Sequence, residues 1–254
     1  MVAKELIDAR WKLIISGALT VLVVAGLSVL YSVIRDLATN PSSAALPEAV
    51  KNDLQLSVAN FGLYAWGQWF PKNGPLLLGG LAAFLGAGLI AGEVGKGTIY
   101  FLLSKPVSRE RVLITKYVVN AAILLGVALL GSLVMLLTAV ILGQSVPVDR
   151  ILLATVLLWL GTLSILGVAL LFSTLFDDVL RPAGLAILVA VVIGLPGVVG
   201  AFLPGWAEWS LPGYWASLSG FLGTAFPAKE FVICLVTAIL PVAGALAVFR
   251  KRAF

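Results

Sequence analysis

Long apolar stretches alternate with short polar segments along this chain of 254 residues. A bilayer's hydrocarbon core is about 30 Å thick and an α-helix rises about 1.5 Å per residue, so a span takes about 20 mostly apolar residues. Six stretches meet or approach that length: residues 13–34, 75–91, 117–142, 151–176, 183–203 and 231–249. The second is the shortest and the richest in glycine, with Gly79, Gly80, Gly86, Gly88 and Gly92, and is expected to begin earlier or to pack closely on a neighbour. Gly88 and Gly92 have the small-xxx-small spacing that permits close helix approach, a spacing that chance also produces in a chain with 26 glycines. Pro196 and Pro241 fall inside the fifth and sixth stretches, where kinks are expected. The pattern predicts an all-α polytopic membrane protein with six transmembrane helices, forming a single domain over residues 1–254.

Composition supports lipid as the solvent. With 61% hydrophobic residues, 11% charged residues and a mean hydropathy of +1.09, one water-soluble core cannot hide so much apolar surface. A single cysteine, Cys234, and no histidine exclude a disulfide framework, a His-ligated metal or haem, and a His-based triad. No catalytic residue and no metal ligand is assigned. The net charge of +5 sits at the ends of apolar stretches and not in a continuous basic stripe, which argues against nucleic acid as a partner. With the N-terminus inside, the inner segments hold Lys4, Arg10, Lys12, Lys96, Lys105, Arg109, Arg111, Lys116, Arg181, Arg250, Lys251 and Arg252. The outer segments then keep only Arg35, Lys51, Lys72, Arg150 and Lys229. This bias predicts cytoplasmic N- and C-termini in a multi-pass protein of the cell (plasma or inner) membrane. A signal peptide is the weaker reading of the first stretch, whose apolar run exceeds the usual length of roughly 7–15 residues with no prompt cleavage site.

Two connecting segments carry aromatic residues. The first outer loop, residues 35–74, opens with a polar run at 40–43 and then holds Phe61, Tyr64, Trp66, Trp69 and Phe70, which suit the headgroup layer. In the outer region 204–229, Trp206, Trp209, Tyr214 and Trp215 are separated by Pro204, Gly205, Pro212 and Gly213, so it should break into short pieces. A shallow re-entrant hairpin there would act either as an anchoring belt or as an outer gate or interface. No Asp, Glu, Lys or Arg lies near the centre of a span, which leaves an ion-driven mechanism little support. The deep polar residues, among them Thr20, Asn120, Ser132, Thr138, Thr155, Thr162, Ser164 and Thr237, can mostly bond back to their own helix. Asn120 reads more readily as helix glue than as a ligand-binding group. Nor does the chain contain a GxxxxGK[ST] phosphate loop: Gly95-Lys96 is followed by Gly97, and Ile90 stands where the first glycine is needed.

The charged island 92–116, GEVGKGTIYFLLSKPVSRERVLITK, is the most distinctive segment. Pro106 breaks the preceding element and Ser108 is placed to cap a new helix. Arg109, Glu110 and Arg111 supply charge for docking, Val112, Leu113 and Ile114 an apolar contact, and Glu93 is expected to pair with a nearby base or cap the inner helix. Glu93, Gly97-Thr98, Leu102-Leu103-Ser104, Pro106-Val107-Ser108-Arg109 and Lys116 together resemble the first cytoplasmic loop of permeases in the type-2 ATP-binding-cassette (ABC) exporter family. Lys4-Glu5-Leu6 with Arg10 resembles that family's amphipathic entry helix, here residues 1–12, and Phe249-Arg250-Lys251-Arg252 resembles its basic exit.

The resemblance implies a half-transporter, the permease subunit of an exporter. A second permease, identical or a paralogue, would complete the pathway in the lipid bilayer, and two copies of a separate ABC ATPase would bind beneath. It further implies that the ATPase-coupling residues are Glu93, Gly97, Thr98, Pro106, Ser108, Arg109, Glu110, Arg111 and Lys116, in a loop whose short coupling helix seats in the ATPase. The chain itself would need no cofactor; ATP and Mg would belong to the ATPase, and apolar pathway walls favour an amphipathic or hydrophobic cargo. The alternative is a non-transporting membrane anchor or mechanotransmission subunit docked to an ATPase.

Overall fold

Where lipid is the solvent, backbone N–H and C=O groups must bond within the chain, and a helix does this locally. The structure is a computed structural model that describes residues 2–39, 58, 60–104, 108–200, 202–203 and 205–252. Among the described residues every regular element is helical. In chain order these are α1 (Val2–Thr39), α2 (Phe61–Gln68), a π turn (Trp69–Asn73), α3 (Gly74–Gly88), α4 (Ala91–Gly95) and α5 (Ile99–Leu103). There follow α6 (Arg109–Ile141), α7 (Val148–Ser173), α8 (Leu180–Val199), a 3-10 turn (Trp206–Trp209), α9 (Leu211–Ala216), α10 (Leu218–Leu222) and α11 (Ala228–Lys251).

Five of these, α1, α6, α7, α8 and α11, are long and apolar enough to cross a membrane. The stretch expected at 75–91 differs. Helix α3 has 15 residues, about 22 Å of rise and short of the hydrocarbon thickness. It continues α2 through the π turn, however, so residues 61–88 form one helical run of about 40 Å. The run starts earlier than position 75, as its glycine-rich brevity suggested, and stops at Leu89 and Ile90. Pro71 lies in the π turn, where the bonding pattern already departs from i→i−4.

The expected loop 35–74 is the main correction to the sequence reading. Helix α1 runs on to Thr39 and residues 61–73 are helical, while the polar run at 40–43 lies outside the described residues. Phe61, Tyr64, Trp66, Trp69 and Phe70 are all buried instead of exposed at the headgroups. Tyr31 of α1 is the reason: its ring meets Phe61 edge-on at 5.2 Å and Tyr64 at 5.2 Å. Tyr64 donates its hydroxyl to Leu27 O at 3.0 Å, and the Asn60 side chain caps α2 by accepting from Leu63 N at 2.6 Å.

Helix α7 lies at the centre. In its most apolar stretch 72% of the residues are buried, against 17% in both α8 and α11. It packs against α3, α6, α8, α9 and α11. Gly86 and Gly161 make this closeness possible, and Gly131 does the same for α6 against the π turn. A Cβ at Gly86 would lie 2.6 Å from Leu166 O, one at Gly131 would lie 2.5 Å from the Trp69 ring, and the Trp215 ring occupies the space of a Cβ at Gly161. Gly88 and Gly92 would make only ordinary contacts, so their spacing is not what draws the helices together. Ser132 and Thr155 join α6 to α7 at 2.5 Å, while Thr162 and Thr237 bond back to their own helices, as expected.

Substituting Gly86 by Val should therefore cost at least about 1–3 kcal/mol, because the nearest obstacle is a backbone oxygen that cannot rotate away. Thermal unfolding of the purified protein should show a lower midpoint for Gly86→Val and little change for Gly79→Ala, whose Cβ meets nothing within 4 Å. Equal midpoints would rule out the close approach.

Candidate functional site

Three elements converge at one end of the bundle. Helix α1 presents Glu5 from its first turn, α4 presents Glu93, and α6 presents Lys116 two turns from its start; all three side chains are buried. The Lys116 ammonium lies 2.5 Å from Glu5 Oε1 and 2.9 Å from Glu93 Oε1. Lys116 is 3% exposed, so these carboxylates and not water provide its stabilisation. Thr98 donates its hydroxyl to the other oxygen of Glu93. Gly97, at φ +69°, makes the left-handed turn that returns Thr98 to the carboxylate. Asn120, one turn beyond Lys116, donates Nδ2 to Lys116 O at 2.9 Å, a bond back to its own helix and not one between helices.

This hub borders a recess of about 310 Å3 that Lys12, Lys96 and Asn120 also line. Lys12 donates to Phe84 O at 3.2 Å, close to the C-terminal end of α3 where cations are favoured. The break between α3 and α4 sets the position of Glu93, and Ser173 at the end of α7 stabilises that break. Its Oγ accepts from Ile90 N at 3.0 Å and Ala91 N at 2.8 Å, and donates to Ala87 O at 2.7 Å. One hydroxyl thus satisfies three backbone groups that the helix break would otherwise leave unpaired.

Beyond the hub, Ser108 is the N-cap of α6 as its sequence suggests, accepting from Arg111 N at 3.2 Å. Pro106 lies outside the described residues. Arg109 and Glu110, both part-exposed, are engaged by the end of α11. Arg109 donates to Arg252 O at 2.5 Å and Phe249 O at 3.4 Å, while Glu110 pairs with Arg250 at 2.8 Å. Arg252 in turn donates to Thr174 O at 2.6 Å and pairs with Asp177. The start of α1, the charged island and the end of α11 therefore occupy the same end of the bundle.

Val112 and Leu113 are buried, so only Ile114 of that apolar trio is available on the surface. Helix α5 offers more: Tyr100 is 63% and Phe101 69% exposed, beside exposed Lys96 and within one loop of exposed Arg111. These two aromatics were not singled out from sequence, although a Tyr-Phe pair amid charged residues was a visible signal. Glu5 was noted only as part of the entry helix, and Ser173 not at all.

At the opposite end, the four aromatics of 204–229 separate. Trp206 and Trp209 are exposed and Tyr214 donates to Glu208 O at 2.8 Å, whereas Trp215 is buried against Gly161 of α7. The segment does break into short pieces, but Pro212 and Gly213 lie within α9 and the breaks fall at Ser210 and at Ser217, whose φ is +42°; the pieces pack on α7 and α8.

A bundle of apolar helices thus gathers its buried ion pairs and two short loop helices at one end. The family model described as ABC-2 family transporter protein matches residues 1–227. The chain belongs to this family, that of the type-2 ABC transporter permeases, membrane subunits that are not themselves the ATPase. No curated protein matches the sequence.

Replacing Lys116 by Met would leave two buried carboxylates without their cation, a loss of about 3–5 kcal/mol. Chemical denaturation in detergent should register it, and the triple variant Glu5→Gln, Glu93→Gln, Lys116→Met should recover most of it; no recovery would mean that the charges are not paired with one another. Ser173→Ala should cost about 1–3 kcal/mol for each backbone group left unbonded. Hydrogen exchange at Ile90 and Ala91 should rise selectively, and unchanged exchange there would contradict the three-bond cap.

Proposed function

We propose that this chain is the permease of an ABC exporter in the cell membrane. Two copies, or this chain and a paralogue, form the pathway, and a separate pair of ATPase subunits, which bind ATP and Mg, drive it. The observation that carries this reading is the hub: Lys116 ties the loop element α4 to α1 and α6, so a force on the charged island reaches two long helices through buried ion pairs. The docking residues we assign are the exposed Tyr100 and Phe101 of α5 with exposed Lys96, Arg111 and Ile114, aromatic and basic types that are enriched at protein interfaces. Arg109 and Glu110 also hold the end of α11.

Nucleotide binding would act through population shift, with each ATPase state favouring one arrangement of the permeases. Both termini and the hub then face the cytoplasm, in line with the Lys and Arg bias. The apolar faces of α8 and α11 suit an amphipathic or hydrophobic cargo moved outward.

Affinity purification from native membranes in mild detergent tests the reading. Wild type should bring down an ATPase chain in stoichiometric amount, and Tyr100→Ala, Phe101→Ala should reduce its recovery by roughly tenfold or more, the effect of losing an interface hot spot. Arg111→Glu should weaken recovery in a salt-dependent way. Recovery of a folded permease without any ATPase would remove the proposal. An intact complex that moves no amphiphile into or out of vesicles would favour the anchor or mechanotransmission alternative.

A further inference from the structure

Helices α9 and α10 are joined by one residue, Ser217, whose backbone is left-handed at φ +42° and ψ 75°. Among the described residues no other residue apart from glycines has a positive φ. That conformation crowds Cβ against the following carbonyl, a cost that glycine would avoid. A second cost lies two residues earlier. The Trp215 ring fills the notch at Gly161 of α7, where a Cβ would stand 2.1 Å from its Cγ, and its indole N–H is buried without an acceptor. The indoles of Trp66 and Trp159, by contrast, donate to Ala216 O at 3.1 Å and Ala121 O at 2.9 Å. A donor stripped of water and left unbonded weighs against the arrangement that buries it.

Both costs belong to the seated position of α9, and identifiable contacts offset them. The Trp66 indole holds Ala216 O, the Trp66 ring stacks on Phe221 at 5.6 Å, and Ser217 Oγ accepts from Gly220 N at 3.1 Å. On the other side of Ser217, α10 is anchored separately: Arg150 of α7 donates to Gly220 O at 3.4 Å and Thr224 O at 3.3 Å. Withdrawing the Trp215 ring frees its N–H for an acceptor and lets Ser217 relax to a negative φ, while α10 keeps its own contacts. A residue held in a rare conformation by its surroundings marks a place where two arrangements compete. We propose that α9 is a latch in the half of the bundle away from the hub: it pivots at Ser217, seats by inserting Trp215 into the Gly161 notch, and opens by withdrawing it. Pro212, Gly213 and Trp215 of α9, with Lys72 of the π turn, border a groove of about 790 Å3 between α3 and α8, so an open latch removes one wall of that groove. Opening requires neither an ATPase nor cargo, so its test stands apart from that of the transport reading.

Ala216, 3% exposed while the latch is seated, is placed to report its opening. The full-length protein carrying Cys234→Ala and Ala216→Cys would be reconstituted in nanodiscs and its reaction with a water-soluble maleimide followed by mass spectrometry. Hydrogen exchange of the α7 amides would measure global unfolding in the same samples. The cysteine at position 216 should react under native conditions while α7 stays protected. Gly161→Ala, which takes up the notch, should speed the reaction at least about tenfold. Trp66→Phe, which keeps an aromatic ring on Phe221 and drops the bond to Ala216 O, should speed it roughly fivefold. Ser217→Gly should slow it roughly fivefold, because glycine carries no left-handed penalty and loses little as a cap. The proposal is overturned if the cysteine reacts only after α7 has lost its protection, or if Gly161→Ala and Trp66→Phe both leave the rate unchanged. It is likewise overturned if Ser217→Gly speeds the reaction, since Ser217 would then be no strained pivot.

Discussion

Everything at the hub end of this molecule depends on one ammonium shared by two carboxylates. At 3% exposure the Lys116 ammonium has Glu5 and Glu93 as its charged partners, and both carboxylates are buried against it. Such a cluster is a poor source of net stability, since its desolvation offsets most of its Coulomb attraction. What it supplies is specificity. Three chain segments, from α1, α4 and α6, meet in one arrangement because any other leaves a charge unpaired in an apolar setting. Gly97 and Thr98 add to that constraint by holding the second oxygen of Glu93, which fixes the carboxylate's rotation as well as its position.

The hub would be of little use if α4 could slide relative to the bundle, and α7 prevents this. Its burial makes it the reference against which other helices are placed, and it reaches both ends of the molecule. At one end Ser173 binds the break between α3 and α4; in the middle Gly161 receives the Trp215 ring; toward the other end Thr155 meets Ser132. Each of these close contacts uses a small or hydroxyl-bearing residue of α7. Helices in lipid lack a hydrophobic drive to associate and depend on such packing and hydrogen bonds.

How far the sequence disclosed this can be judged residue by residue. The Ser108 cap was legible because capping is local: a serine followed by a charged helical turn needs no distant partner. A base for Glu93 was legible, but the choice of Lys116 together with Glu5 was not, since Glu5 lies 111 residues away and no local rule reaches that far. The aromatics 61–70 were misplaced because a headgroup belt and a buried aromatic cluster have the same composition; Tyr31 decides between them, and it sits in another span. The contacts that Arg109 and Glu110 make within the chain were hidden for a related reason. Their partners are the last carbonyls and side chains of α11, contiguous only after folding. Ser173 gave no signal, since a serine at the end of an apolar stretch is ordinary.

The basic exit of α11 turns these local contacts into a frame. Arg109 holds the carbonyls of Phe249 and Arg252, and Arg252 holds Thr174 O and the Asp177 carboxylate, so the start of α6, the turn after α7 and the end of α11 are joined by side chains from two residues. Asp177 O also lies so near Gly95 that a Cβ there would stand 2.9 Å away, which brings α4 against the same turn. A displacement imposed on α4 and α5 would therefore move α1 and α6 through the hub, α7 through Ser173, and α11 through the arginines together. Helix α8 alone among the long helices begins beyond this frame, tied to it by the short turn at Asp177 and Asp178, and its apolar stretch is only 17% buried. Helix α8 packs on α7 and α3 and forms one wall of the groove that Lys72 and Trp215 border.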